Sequence, residues 1–310
     1  MHLPTERKVI LVTRHTRLEE LVQHYHTLAQ ARFYIEHLGA DFSDYQLENE
    51  IYARNLCMVT ELLQNWGRYQ IIDRSLVPNY CFAPDDIIVT LGQDGLVANT
   101  FKYLQGQPVI GINPDPARWD GVLLPFMASD FARILAEVAY GRRKSKSITL
   151  AQATLSDGQV LRAVNDFFIG PRTHTSALYE IEANRECEVQ SSSGIIVSTG
   201  LGSTAWIKSI ITGSMAIAQA HTSSTTWQYT AIPWDSSQLI FAVREPFPSR
   251  SSQARLVYGT VDRNHPLKVR SRMAENGIIF SDGMQQDYMA FNAGVEATIT
   301  LASDCGQLVV

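Results

Sequence analysis

The segment Asp86-Ile-Ile-Val-Thr-Leu91 runs directly into Gly92-Gln-Asp-Gly95 and then into Leu96-Val-Ala-Asn-Thr-Phe-Lys-Tyr-Leu104. A compact apolar run, a glycine-bracketed turn and a helical pattern in that order describe a buried strand of an open α/β sheet. Such sheets place their ligand crevice at the carboxyl ends of their strands, where turns of this kind sit. Gly92 and Gly95 can take positive φ and carry no Cβ, so a ligand can come close to the backbone. The helix behind them offers N–H groups and a partial positive charge to an anion. Asp94 can accept a hydrogen bond or a proton from a sugar hydroxyl. The turn suits a hydroxylated, phosphate-bearing ligand, although Asp-Gly turns also join strand to helix with no ligand at all.

The surrounding pattern fixes the fold class. Lys8-Val-Ile-Leu-Val-Thr13 reads as the first strand. Leu18, Leu21, Val22, Tyr25, Leu28 and Ala29 then recur at helical spacing, with Gly39 as a stop. Ser43 with Gln46 has the capping-box form, opening a helix that Gly67 can close. Tyr69–Asp73 and Pro108–Asn113 are further strands, and 129–140 a further helix. The loop from Pro114 to about Phe126 is long for a compact domain, which marks it as functional or disordered. Beyond about Gly141, alternating β-branched segments dominate: 147–154, 159–169, 176–182, 194–198, 238–243 and 277–280. Ser156-Asp-Gly158 is a hairpin signal, and residues 207–226 are partly helical. The expected architecture is a doubly wound α/β domain over residues 1–142, then a β-rich, sandwich-like domain over 143–310 whose last residues pack back on the first.

A chain of 310 residues, 45% hydrophobic, can bury such cores. Its net charge of −5 leaves no basic footprint for nucleic acid, and Arg142-Arg-Lys144 with Lys146 reads as a solvated linker face. Cys57, Cys81, Cys187 and Cys305 match no metal or redox spacing, and are expected to be reduced and mostly buried. No apolar run approaches the ~20 residues of a membrane span, and no signal-peptide pattern precedes the first strand. A cytoplasmic protein with no membrane partner is expected.

Two further segments carry chemistry. Ile195-Ile-Val-Ser-Thr-Gly-Leu-Gly-Ser-Thr-Ala205 joins an apolar strand to Gly200, Gly202, Ser203 and Thr204 ahead of a helix. Glycines and hydroxyls there suit phosphate or nucleotide contacts; plain N-capping by Ser203 or Thr204 is the alternative. The same residues match G-x-G-x-x-A, but no Asp or Glu occurs between Glu188 and Asp235 to bind a ribose, and a dehydrogenase is excluded. No G-x-x-x-x-G-K-[ST] occurs either. Asn165-Asp166, inside an apolar strand pattern, is costly to bury without partners; it is a hydrogen-bonded structural pair or a polar clamp on a ligand.

Gly92-Gln-Asp-Gly95, Asn165-Asp166, Gly202-Ser-Thr-Ala-Trp206 and Ser281-Asp-Gly283 stand in the order and spacing of the NAD kinases. That family's hallmarks are a G-G-D-G-T turn, an N-E pair, a G-S/T-T-A-Y run and a late D-G-Q strand. The chain resembles it from about Tyr69 almost to the end. The mitochondrial-type branch is most similar, through Pro108-Val-Ile-Gly-Ile-Asn-Pro-Asp-Pro116, Ser192-Ser-Gly194, Ala205-Trp206, Arg244-Glu-Pro246 and Val269-Arg-Ser-Arg272. The resemblance implies a site in a crevice between two domains and phosphoryl transfer from ATP to the 2′-hydroxyl of the adenosine ribose of NAD. It makes Asp94 the catalytic carboxylate, with Gly92, Gln93 and Gly95 forming the phosphate-facing turn. Asn165 and Asp166 hold the adenosine or donor side, and Ser203, Thr204, Ala205 and Ser209 line the nucleotide contacts. Mg²⁺ enters with ATP, without a dedicated protein cage, and a homodimer or higher homo-oligomer is implied. Gln93, Leu96 and Asp166 depart from the family's Gly, Thr and Glu. Besides the kinase, a catalytically weak NAD or NADP sensor and a kinase of a lipid or sugar hydroxyl use the same motifs.

Overall fold

The computed structural model describes residues 7–221, 228–284 and 287–310, in two compact units. The first runs to Lys146 and takes back Gly306–Val310; the second is Ser147–Cys305.

The first unit contains β1 (Val9–Thr13), α1 (Arg17–Tyr25), α2 (Leu28–His37), α3 (Phe42–Trp66), β2 (Tyr69–Asp73), β3 (Ile87–Leu91), α4 (Asp94–Phe101), β4 (Pro108–Ile112) and α5 (Phe131–Ala139). The strands lie parallel in the order β2-β1-β3-β4. Gln307 and Leu308 add a parallel strand beside Pro108 and Val109. Every residue of β3 is buried, which explains its unbroken apolar run. Tyr52, Val59 and Leu63 of α3 and Phe131, Ile134, Leu135 and Val138 of α5 pack with strand residues in one core.

Local chemistry moves two helix starts from their expected places. The single helix expected after β1 is two, because His26 takes a left-handed φ of 66° and Thr27 caps α2 at the Gln30 N–H. Thr16 opens α1 with a full capping box to Glu19. The cap of α3 is Asp41, whose carboxylate accepts from the Ser43 N–H, so Ser43 is inside the helix rather than capping it. Gly67 closes α3 with φ 136°.

The second unit is built from β5 (Ser145–Leu155), β6 (Val160–Ala163), β7 (Asp166–Pro171), β8 (Ala177–Ala183), β9 (Glu186–Ser192), β10 (Ile195–Ser198), α6 (Trp206–His221), β11 (Leu239–Val243), β12 (Tyr258–Val261), β13 (Leu267–Ser271), β14 (Gly277–Ser281), β15 (Tyr288–Ala290) and β16 (Glu296–Val309). One antiparallel sheet runs β12-β11-β10-β7-β14-β15. Facing it, β9, β8, β13 and the first half of β16 pair in turn, and β5 pairs with β16 and β6. Phe167, Ile169, Val197, Phe241 and Ile279 meet Tyr179, Ile181, Val269, Ala297 and Ile299 in the sandwich core. On the other face of the six-stranded sheet, Ile196, Ile240, Ala242 and Ile278 pack with Ile207 and Ile211 of α6. Every residue of β7, β10 and β11 is buried, and all but Asp166 and Ser198 are apolar.

The expected strand over 159–169 is two strands in different sheets, β6 and β7, with Asn165 at the break. Residues 222–226, expected to continue α6, lie outside the described residues. Cys57, Cys81 and Cys187 are exposed rather than buried; Cys57 sits on the solvent side of α3, where it donates to the Glu61 carboxylate. Among the described residues no helix is long and apolar enough to cross a membrane.

Candidate functional site

The sequence motifs gather into two clusters, one in each unit.

In the first unit, the ends of β1, β3 and β4 and the start of α4 meet at the carboxyl edge of the parallel sheet. Gly92 leaves β3, its N–H donating to the Ile112 carbonyl of β4 at 3.2 Å. Gln93 occupies the N-cap of α4 without a side-chain cap bond, and Asp94 is the first helical residue. No side chain closes this helix end, which leaves it to an anion. Asp94 Oδ1 accepts the Leu123 N–H at 2.7 Å, so the long loop after β4 fixes the carboxylate. Neither Gly92 nor Gly95 has positive φ, contrary to expectation; what matters is their missing Cβ. A Cβ on Gly92 would lie 2.9 Å from Leu96 Cδ2, whereas one on Gly95 would meet nothing within 4 Å. Gly95 is exposed and open, while Gly92 is roofed by Leu96.

Arg14, which the sequence reading passed over, lies against this turn. It follows β1 and is 8% exposed, and its Nε would sit 3.5 Å from a Gly92 Cβ. Its other guanidinium nitrogens donate to Glu48 Oε1 at 2.8 Å and to the His15 carbonyl at 2.9 Å, but Nε is buried with no hydrogen-bond partner. Tyr52 of α3 braces the same edge: its hydroxyl accepts from the Arg14 N–H and donates to the Leu91 carbonyl. Burial pushes that phenol up to about 12, so it remains a donor. A charged chain extends outward from Arg14 through Glu48, Arg17, Asp44 and Arg118 to Asp115. An arginine in this role carries no local sequence signal. The apolar strand ahead of it is the one cue, since a charge at the end of a buried parallel strand is placed where ligands bind.

In the second unit, Asn165-Asp166, the Gly200–Ala205 run and Ser281-Asp-Gly283 converge. Asp282, left-handed at φ 54°, accepts the N–H groups of Val164 at 3.1 Å, Asn165 at 2.6 Å and Asp166 at 3.3 Å on Oδ1. Its own N–H donates to the Asp166 carbonyl at 2.9 Å. The Asn165 carbonyl accepts the Thr199 N–H at 2.9 Å. Gly202 lies against that carbonyl, and a Cβ there would be 2.0 Å from its oxygen. Gly200 is hemmed in likewise, by the Pro233 carbonyl at 1.8 Å from a Cβ position. These glycines serve the chain's own close packing.

The hydroxyls expected at the helix start divide. Ser203 is fully buried and donates to the Gly200 carbonyl at 2.6 Å, and neither it nor Thr204 caps a helix. Thr204, Ala205 and Ser209 are exposed, with Ala205 and Ser209 one helical turn apart. Trp206, half-buried beside them, stacks on Phe168 at 5.9 Å and lies under the Arg244 guanidinium at 5.5 Å. Asp166 is 5% exposed, and Asn165 is half-buried.

No protein-family model matches the chain. A probable NADH kinase of Oryza sativa subsp. japonica is 24% identical over 222 residues, 64% of this chain and 63% of that protein. The match thus spans less than two-thirds of the rice protein. Among solved structures, yeast NADH kinase complexed with NADH is similar with a TM-score of 0.61 and 14% identity, covering 98% of this chain and 83% of that one. An NAD kinase from Archaeoglobus fulgidus in complex with ATP gives 0.57 and 14%, covering 98% and 93%. An α/β unit with a parallel sheet, a β-sandwich unit and these likenesses agree: the chain has the fold of the NAD and NADH kinases.

Proposed function

We propose that the protein is an ATP-dependent kinase of NAD or NADH, adding phosphate to the 2′-hydroxyl of the adenosine ribose. The observation that carries this reading is Asp94: a carboxylate pinned by the Leu123 N–H at the uncapped start of α4, beside the open Gly95 and the buried cation of Arg14. Support comes also from the shared fold and from the rice relative's name.

In this reading the ribose 2′-oxygen attacks the γ-phosphorus of ATP, the bond from that phosphorus to the bridging oxygen breaks, and ADP leaves. The hydroxyl proton passes to Asp94, which needs only hydrogen-bond reach of the hydroxyl. Gly92, Gln93, Gly95 and the α4 N–H groups face the phosphates, and Arg14 places positive charge behind them. Asn165, Asp166, Thr204, Ala205 and Ser209 hold the dinucleotide, and Ser203 shapes the turn that presents them. Among the described residues no group of three or more His, Cys, Asp or Glu side chains is arranged for a metal. Mg²⁺ would enter with ATP and would supply charge neutralisation on the transferring group. The reading includes a cytoplasmic homodimer, checked by light scattering and cell fractionation.

The test is NADP(H) formation from NAD or NADH with Mg·ATP, read with an NADP-specific dehydrogenase. Turnover should fall at least 10²-fold in Asp94→Asn, with NAD binding retained by calorimetry. Undiminished turnover in that variant, or none with either dinucleotide in the unsubstituted protein, overturns the reading.

A further inference from the structure

We infer that Asp282 is a positioning residue, setting the Asn165-Asp166 pair for the dinucleotide; the inference rests on the kinase reading above. The case is geometric. Three consecutive backbone N–H groups, of Val164, Asn165 and Asp166, converge on this one carboxylate, at 2.6 Å in the shortest case. They do so where the chain passes from β6 in one sheet to β7 in the other, so none of these bonds belongs to a strand ladder. Charge-assisted bonds of this kind are short and strong.

The opposite edge of the same backbone is held as firmly. The Val164 carbonyl accepts from Thr199 Oγ1 at 2.5 Å, the Asn165 carbonyl accepts from the Thr199 N–H, and Gly202 packs against it with no room for a Cβ. Held on both edges, the Asn165 peptide has one orientation, and the half-buried Asn165 side chain projects from it. Asp282 can do this only from an unusual backbone state. Its φ of 54° and the 71° of Gly283 turn the chain just after β14, so that the carboxylate reaches back while the Asp282 N–H returns a bond to the Asp166 carbonyl. Asp and Asn tolerate that region best among side-chain-bearing residues. The carboxylate's role is thus to orient another residue's backbone.

Steady-state kinetics on Asp282→Ala and Asp282→Asn test the assignment. Loss of the clamp should raise KM for NAD at least tenfold in Asp282→Ala, less in Asp282→Asn, which keeps one acceptor oxygen and the left-handed preference. KM for ATP should stay within twofold and kcat should change less than KM for NAD. Because Asp282 acts through Asn165, Asp282→Ala placed on Asn165→Ala should add less than twofold. A lowered Tm with unchanged KM for NAD reduces Asp282 to a structural bond and overturns the inference, as does a double variant whose effect is the full product of the single ones. Failure of both variants to fold overturns it too. Failure of the kinase reading is visible separately, as neither turnover nor NAD binding in the unsubstituted protein, and the inference falls with it.

Discussion

Glu48 lies 2% exposed between the guanidinium groups of Arg14 and Arg17. Burial pushes its carboxyl up, but hydrogen bonds from Arg14 and Arg17 outweigh that, and the group is held below the ordinary carboxylate range. A depressed carboxyl stabilises the fold above its unfolded value, near 4.3 for glutamate, and the contribution is lost as pH falls through the lower folded value. Thermal unfolding from pH 6 down to pH 3 should therefore show a steep acid limb that flattens in Glu48→Gln. Removing one partner of a buried pair costs more than removing both, because the survivor is stranded. Glu48→Met, which strands the buried Arg14 guanidinium, should lose about 3–5 kcal/mol in urea unfolding, and the double change with Arg14→Met should recover much of it. At position 92 a Cβ would crowd the tip of Leu96, which would have to shift to make room. Gly95→Ala should stabilise α4 by about 0.5–1 kcal/mol, since a methyl there meets nothing; a fall in turnover in that stabler variant would locate the close approach of substrate.

The elements differ in how firmly the sequence announces them. The β3–α4 junction was legible because burial on both faces leaves an apolar strand, and the glycines mark its end. Tyr69–Asp73 matches β2 residue for residue. Strand β13 escaped because its alternation is filled with charge on the solvent face. In β13, Lys268 and Arg270 alternate with buried Leu267, Val269 and Ser271, and pair across strands with Glu182 and Glu296. The second break, at Asn165, was invisible for a different reason. Its cause is Asp282, 117 residues away, and no local propensity reports so distant a partner. Arg14 was hidden likewise, its use depending on Gly92 and Glu48 arriving from other elements. The same reasoning separates two substitutions in the β10–α6 connection. Gly202→Ala drives a methyl into the Asn165 carbonyl and should cost at least about 1–3 kcal/mol as overpacking against backbone, measured by urea unfolding. Ala205→Gly, on an exposed position, should cost far less.

On the scale of the whole molecule, the first unit is completed by the last residues of the chain. Leu308 and Val309, each 1% exposed, pack there, and Gly306 allows Phe101 of α4 to lie flat against the strand. Burying two aliphatic side chains is worth on the order of 3–6 kcal/mol, and the parallel pairing with Pro108 and Val109 adds to it. Deleting Gly306–Val310 should lower the melting of the first unit selectively, seen in calorimetry as a transition that separates from that of the second unit.

That late completion also has a meaning in time. As the ribosome delivers the chain, β1 to β4 emerge first, yet β4 must wait until the whole second unit, Ser147 to Cys305, has been made before its neighbour exists. Until then the nascent sheet carries an unpaired apolar edge, the kind of surface that recruits strands from other chains. The second unit, whose partners are all contained between Ser147 and Cys305, faces no such delay. Closure of the first unit is thus a late zipping step, and Gly306–Val310 decide whether its sheet is sealed or left adhesive.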